Sequence, residues 1–356
     1  MPINRDFVDP AELTSQVRVA LADYDINGPN TLAPYLPSET LDDIEYEADT
    51  GQGGLIEAAM YRAFDAELPL ANDEAAGQMR GRIHPLGQKI PLFEEDRIRL
   101  RNGAEDGLRA YIDRVSKRIA KAVALQINLK RAEALTTGKL QFVGNGQNFP
   151  VDFGRRPDFT FTAATLFSDP DVDPFGVLED WNEAYFDENG FEIGKLLAPK
   201  EVINAFYRHP LVTALAFGRR VTDVPDGAVA PPSAIDALFG ERDLPGFTKI
   251  GGRIKVRDIN NQTIIKDLVP RDGIIALDGE GDAAVAGSSE LGSTMWGKTI
   301  EADKPEWGLS AEGDGPGIVA AVHDNDDVPA RMWVSAHAIA MPVLVNPNYS
   351  SFMKVL

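Results

Sequence analysis

Apolar residues recur at three- and four-residue steps between residues 104 and 137. Leu108, Ile112, Val115, Ile119, Ala122 and Leu129 fall on one face, and Tyr111, Val123 and Ile127 widen it. The spacing predicts one long helix, and Gly138 supplies its stop. At ~1.5 Å per residue such a helix is about 50 Å long. That is too long for a small core to enclose, so it is expected to run as a spine across an extended subunit. A shorter helix is predicted over residues 10–24, where Leu13, Val17, Ala20 and Leu21 share a face, Asp9 is the N-cap and Pro10 takes the first helical position. The rest of residues 1–44 reads as an extended arm. Its apolar residues, Leu32, Tyr35, Leu36 and Leu41, call for a partner surface to lie on.

Residues 43–62 read as strand-like or mixed. Residues 63–92 lose regular patterning: Pro69, Pro85, Pro91, Gly77, Gly81 and Gly87 interrupt a sparse alternation of Met79, Ile83 and Leu86. A long, weakly apolar excursion of this kind is more often bound to a partner than idle. Beyond the spine, residues 139–143 and 149–153 form a predicted hairpin around Gly144-Asn145-Gly146. A short strand is expected at 158–161, a helix from Pro174 to about Phe186 capped by Asp173, a strand at 193–197 and a helix at 199–206. Residues 218–248 are rich in Pro and Gly, with an apolar patch at Ile235, Leu238 and Phe239. A hairpin over Asn260-Asn261 is predicted for 253–269, loops for 278–289 and 310–317, and a closing strand for 332–345. There is no internal repeat.

Composition narrows the function classes. With 44% hydrophobic residues in 356, a sizeable core is available. The absence of cysteine removes disulfide scaffolds, thiolate metal sites and cysteine nucleophiles, and fits folding in a reducing cytosol. A net charge of −20 repels nucleic acid and anionic membranes, so contact with DNA needs a local basic face. The polar start, Met1 to Asp6, does not read as a signal peptide, and no stretch reaches the roughly 20 apolar residues of a membrane span.

The search for chemistry gives little. No P-loop, no Gly-x-Ser-x-Gly elbow and no His-Glu-x-x-His spacing is present, and no cofactor is expected. His84, His209, His323 and His337 stand apart from one another and read as structural residues. The sequence Asp169-Pro170-Asp171-Val172-Asp173 has the spacing of a calcium loop, but Pro174 stands where that loop needs glycine, and a turn followed by a helix N-cap explains it as well. The segment Asp324 to Asp327 reads as a solvated loop. One electrostatic feature stands apart from the acidic background. Arg109, Arg114, Lys117, Arg118, Lys121, Lys130 and Arg131 all lie in the spine helix, either as a face toward DNA or a neighbouring acidic subunit, or as an ordinary solvated face. Arg80, Arg82 and Lys89 make a smaller basic group that could meet acidic neighbours.

The order of arm, irregular loop, spine helix, hairpin, mixed segment and closing strand resembles the major capsid proteins of tailed phages, in particular the lambda-type capsid protein E family. The resemblance is carried by Ala132-Glu133-Ala134-Leu135-Thr136-Thr137-Gly138-Lys139, by Asn148-Phe149-Pro150-Val151-Asp152-Phe153-Gly154-Arg155, by Leu197-Ala198-Pro199-Lys200-Glu201, by Val269-Pro270-Arg271-Asp272-Gly273 and by the run from Ser335 to Leu356. It covers most of the chain from about residue 45 onward. It implies an α+β, Hong Kong 97-type capsid fold. Residues 1–44 would be the N-terminal arm and 63–92 the extended E-loop. Residues 45–62, 93–167 and 330–356 would form the peripheral domain, and 168–329 the axial domain. Function would be that of a non-enzymatic shell subunit in the virion. The implied partners are copies of itself in pentamers and hexamers, packaged double-stranded DNA, a separate scaffolding protein, a portal and a decoration protein, with no membrane. A cargo-enclosing nanocompartment of the same fold is the nearest alternative. An acidic metal-dependent hydrolase using Asp169, Asp171 and Asp173 is the alternative from another class.

Overall fold

The computed structural model describes residues 3–5, 7–50, 77–101, 105–144, 147–225, 227–257, 262–278, 290–309, 317–325 and 331–356. Most of the irregular segment before residue 77, the turns at Asn145-Gly146 and Asn260-Asn261, and the loops at 279–289 and 310–316 lie outside the described residues.

The chain begins with α1 (Pro10–Ile26), where Asp9 accepts from the Ala11 N–H as expected of an N-cap. Strand β1 (Ser38–Leu41) follows, then β2 (Glu45–Thr50), β3 (Gly77–Arg82) and β4 (Pro85–Leu92). Helix α2 (Glu94–Arg101) precedes the 33-residue spine α3 (Glu105–Thr137). The spine stops at Gly138, whose φ of +66° suits a residue without a Cβ. Next come β5 (Lys139–Gly144), β6 (Gln147–Asp152), β7 (Thr160–Thr162), α4 (Pro174–Asn189), β8 (Lys195–Ala198), α5 (Lys200–Arg208), α6 (Pro210–Phe217) and α7 (Pro232–Glu241). The remainder is strands: β9 (Phe247–Lys249), β10 (Arg253–Arg257), β11 (Thr263–Asp267), β12 (Gly273–Leu277), β13 (Gly292–Gly297), β14 (Val319–Asn325), β15 (Arg331–Leu344) and β16 (Ser350–Lys354).

Two five-stranded sheets organise the molecule. In the first, β15 pairs with β4, β13 and β14, and β1 lies parallel to β13. Along β15 the buried residues Met332, Val334, Ala336, Ala338 and Ala340 alternate with half-buried ones, the two-residue period of a strand with one face on a core. That face meets Ile112, Val115, Ile119 and Val123 of α3 and Leu13, Val17 and Leu21 of α1. The second sheet has the order β7-β16-β12-β8-β9. Strand β12 is buried along its whole length because both faces of this sheet are covered. Ile274 and Ala276 join Leu196 and Ala198 in the core under α4–α7, whereas Ile275 and Leu277 join Leu197 in the core shared with the end of α3. Ribbons β2–β3, β5–β6 and β10–β11 each pair only within themselves among the described strands.

Two sequence expectations change. Residues 32–36 are not a free arm: Leu32, Tyr35 and Leu36 are buried in this chain's own core, and Asn128 of α3 accepts from the Leu32 N–H at 2.8 Å. Residues 85–92, assigned to the extended loop, form β4 and pair with β15 from Met332↔Leu92 to Ile339↔Pro85. Strand pairing also crosses the position 329/330 at which sequence divides the two domains: β13 and β14 hydrogen-bond to β15, while β16 sits between β7 and β12. Strand pairing partners are not visible in the hydrophobic pattern of single segments.

Candidate assembly surfaces

The seven basic residues expected along the spine divide into two groups. Arg109, Arg114, Lys117, Arg118 and Lys121 are exposed. Arg109 meets Glu12 of α1 at 2.7 Å, and Lys117 meets Asp113 one turn earlier at 2.9 Å. Arg114 and Lys121 lie 5.4 Å from the ring centroids of Tyr111 and Tyr24, respectively.

Lys130 and Arg131 do not belong to that surface. Lys130 is tucked against Glu133 at 2.7 Å and over the Phe142 ring of β5. The Arg131 side chain is 0% exposed, and its two terminal nitrogens meet the Asp25 carboxylate at 2.5 and 3.1 Å, with Nε donating to Thr294. On a regular helix the side facing a core cannot be distinguished from the solvent side at a charged position by charge alone. The missed signal was position: Arg131 lies one turn from Ile127 and Leu135, both on the buried face.

The smaller basic group also divides. Arg80 and Arg82 of β3 reach across to Glu47 and Glu45 of β2 at 2.7 and 2.6 Å, and all four side chains are at least half exposed. The base of this ribbon is fixed by Tyr46, which is buried over Gly81: a Cβ there would lie 2.5 Å from the tyrosine oxygen. Lys89, by contrast, sits in β4 opposite Ser335, with its ammonium 5.2 Å from the Trp333 ring centroid.

The calcium-like aspartates work on the backbone. Asp169 accepts from the Asp171 N–H, and Asp173 caps α4 by accepting from the Phe175 N–H, both at 3.1 Å. His209 Nε2 lies 2.9 Å from the Asp169 carbonyl oxygen. His84 is held between the Phe142 and Phe149 rings of the β5–β6 hairpin, and burial pushes its pKa down. His337 Nε2 lies 3.0 Å from Glu301, whose pKa is lowered by that hydrogen bond against the opposing effect of burial. Of the segment Asp324 to Asp327 read as a solvated loop, Asp324 lies within β14 and binds Arg97 at 3.1 Å, and Asp326 and Asp327 lie outside the described residues.

One residue of the family-like string had no assigned role from sequence. Arg155 is buried and meets no carboxylate among the described residues. It donates to the carbonyls of Ala134, Leu135 and Thr136 at the end of α3, to the Thr160 and Ser350 hydroxyls, and to the Pro347 carbonyl. The Leu135 and Thr136 carbonyls are among those a helix C-terminus leaves without intrahelical partners, whereas Ala134 also accepts from the Gly138 N–H at 2.8 Å, and the negative end of the helix dipole favours the cation. Burial pushes the guanidinium pKa down to about 9, so it remains charged at neutral pH.

A spine helix crossing one sheet, a second sheet covered by four helices and three two-stranded ribbons define an α+β capsid subunit of the Hong Kong 97 type. Solved structures share the fold. The crystal structure of an E. coli CFT073 prophage protein assigned as its capsid protein superimposes with a TM-score of 0.61 at 14% identity, covering 96% of this chain and 99% of that one. A phage-related protein from Bordetella bronchiseptica RB50 gives 0.53 at 13% identity, with 95% of each chain covered. No curated protein sequence matches. The phage major capsid protein E family matches residues 38–227, more than half of the chain, and the chain belongs to that family. It is a major capsid protein, a structural component of the phage shell, and its place is the virion capsid.

Proposed function

We propose that copies of this chain associate into pentamers and hexamers and close an icosahedral shell around double-stranded phage DNA. Family membership carries the reading. The β2–β3 ribbon supports it, because its ion pairs Arg80–Glu47 and Arg82–Glu45 stand on a two-stranded element that pairs with no other described strand. Such ribbons have marginal stability alone and gain it by lying on another surface. Many modest contacts repeated by symmetry then give the shell its collective stability. A separate scaffolding protein, a portal and an outer decoration protein complete the set of partners, and synthesis is in the host cytosol. The chain acts as a structural protein, without catalysis. Electron microscopy of the chain expressed alone and with its scaffold tests this. Rings of five and six or closed shells are expected; a stable monomer under both conditions overturns it.

The exposed part of the spine, Arg114, Lys117, Arg118 and Lys121, is the basic face we assign to packaged DNA or an acidic neighbour. Lys130 and Arg131 are excluded from it because both are engaged within the subunit. Reversing Arg114, Lys117 and Lys121 to glutamate is expected to reduce particle yield or DNA retention by about tenfold, since each change turns an attraction into a repulsion in every subunit. Unchanged yield and DNA content, measured by gradient sedimentation and absorbance ratio, would refute the assignment.

A further inference from the structure

Two exposed patches of opposite sign lie on opposite sides of the second sheet. The first is the outward face of the β10–β11 ribbon. Directly opposed residues share a face, so Arg253, Lys255 and Arg257 stand with Asp267, Ile265 and Thr263. Ile254, on the other face, is buried in the core that also holds Leu197, Ile275 and Leu277. The outward face therefore presents cations around Ile265, which is 63% exposed. Arg253 leans toward Asp267 at 3.3 Å, whereas Lys255 meets no carboxylate among the described residues.

The second patch is on α4. Asp180, Glu183 and Asp187 recur at three- and four-residue steps and form one exposed stripe. The neighbouring acids Glu179 and Glu188 are neutralised by Arg242 and Arg156, but the three stripe carboxylates meet no cation among the described residues. Phe186, 47% exposed, borders the stripe. The buried side of α4, with Phe175, Leu178, Trp181 and Tyr185, packs on the sheet face that carries Ile274 and Ala276. The ribbon lies against the core on the other face, so the two patches do not meet within one chain.

We infer that the ribbon face of one copy docks on the α4 stripe of the next copy, with Ile265 against Phe186 and Lys255 and Arg253 facing Glu183 and Asp187. An apolar centre ringed by complementary charge is the composition of a specific protein contact. Two different patches on opposite sides make the contact head-to-tail, the type that generates rings when the rotation closes. A chain of net charge −20 needs such local cationic surface to approach its own copies. The inference rests on the reading that the chain assembles into rings, and it names the surfaces that do so.

Because the chain has no cysteine, an Ile265→Cys/Phe186→Cys variant tests it against a silent background. Mild oxidation of the full-length variant should give a covalent ladder from dimer upward on non-reducing gels, since a disulfide needs Cα atoms within about 7 Å. Each single-cysteine variant should give no more than dimers. Independently, Lys255→Glu and Glu183→Lys should each lower assembled mass by about tenfold, and the two reversals together should restore most of it, with circular dichroism unchanged throughout. Wild-type shells combined with an absent ladder, or single reversals that the double variant does not restore, would overturn the contact. Loss of DNA retention in Lys255→Glu with normal assembly would also overturn it, and would place the ribbon on nucleic acid instead. Failure of the wild-type chain to assemble at all is a different result: it removes the ring reading, and this contact with it.

Discussion

Replacing Arg155 by leucine is expected to lower the unfolding midpoint by on the order of 10 °C. The side chain holds three separate parts of the fold with one planar group: the last turn of α3, the start of β7 at Thr160, and the turn into β16 at Pro347 and Ser350. Its loss leaves the Leu135 and Thr136 carbonyls buried without this donor, while Ala134 keeps the Gly138 N–H, and opens a cavity beside them. Unsatisfied buried acceptors cost about 1–3 kcal/mol each, so about 3–5 kcal/mol in total is expected after partial relaxation. Lysine should restore less than half of the loss, because a single ammonium cannot reach acceptors spread across a guanidinium fork. Gly138 closes the same junction from the other side: a Cβ there would fall 2.6 Å from that of Arg155. Thermal denaturation followed by circular dichroism measures the shift, and a midpoint within about 2 °C of wild type would show that the junction does not depend on this arginine.

The junction also shows what was readable in advance. The spine, its glycine stop, α1 with its Asp9 cap, the β5–β6 hairpin and the closing strand all formed where periodicity and capping residues placed them, because each is specified by neighbours within about a dozen positions. Helix α7 was not anticipated: Pro and Gly around it hide a short amphipathic turn whose Ile235 and Phe239 are buried one turn apart. The assignment of strands to sheets was not readable either. That β16 lies between β7 and β12, or that β4 joins β15, depends on contacts between residues about 70 to 250 positions apart. The basic surface was half readable. The sequence located a cationic run on the spine, but only the packing of α1 and β13 revealed that Arg131 is enclosed while Arg114 and Lys117 are exposed. The α4 stripe and the β10–β11 face passed unnoticed because, in a chain with 55 acidic residues, three more carboxylates carry no signal until they are seen unpaired on one face.

Arg131 and Asp25 make the second large prediction, and one with a definite sign structure. Arg131→Met or Asp25→Asn alone is expected to cost about 3–5 kcal/mol, because each leaves a charge buried without its counter-ion. The double variant Arg131→Met/Asp25→Leu should be more stable than either single variant, since apolar groups of similar volume remove both desolvation penalties together. The pair has a further job. Arg131 also donates to Thr294 of β13, and Asp25 lies within reach of Ser38 at the start of β1, so four elements converge on one ion pair. Losing it should loosen α1 and β1 ahead of the rest, and limited proteolysis should cut near residues 26–40 in Asp25→Asn long before wild type. The exposed pair Arg109–Glu12 joins α1 to the same spine helix from outside, and its contribution should vanish in 1 M salt while that of the buried pair persists. Additive single effects, or a salt response equal at the two pairs, would mean that the N-terminal residues are held by the apolar contacts of Leu13, Val17 and Leu21 alone, and that the enclosed arginine is tolerated there without fastening anything.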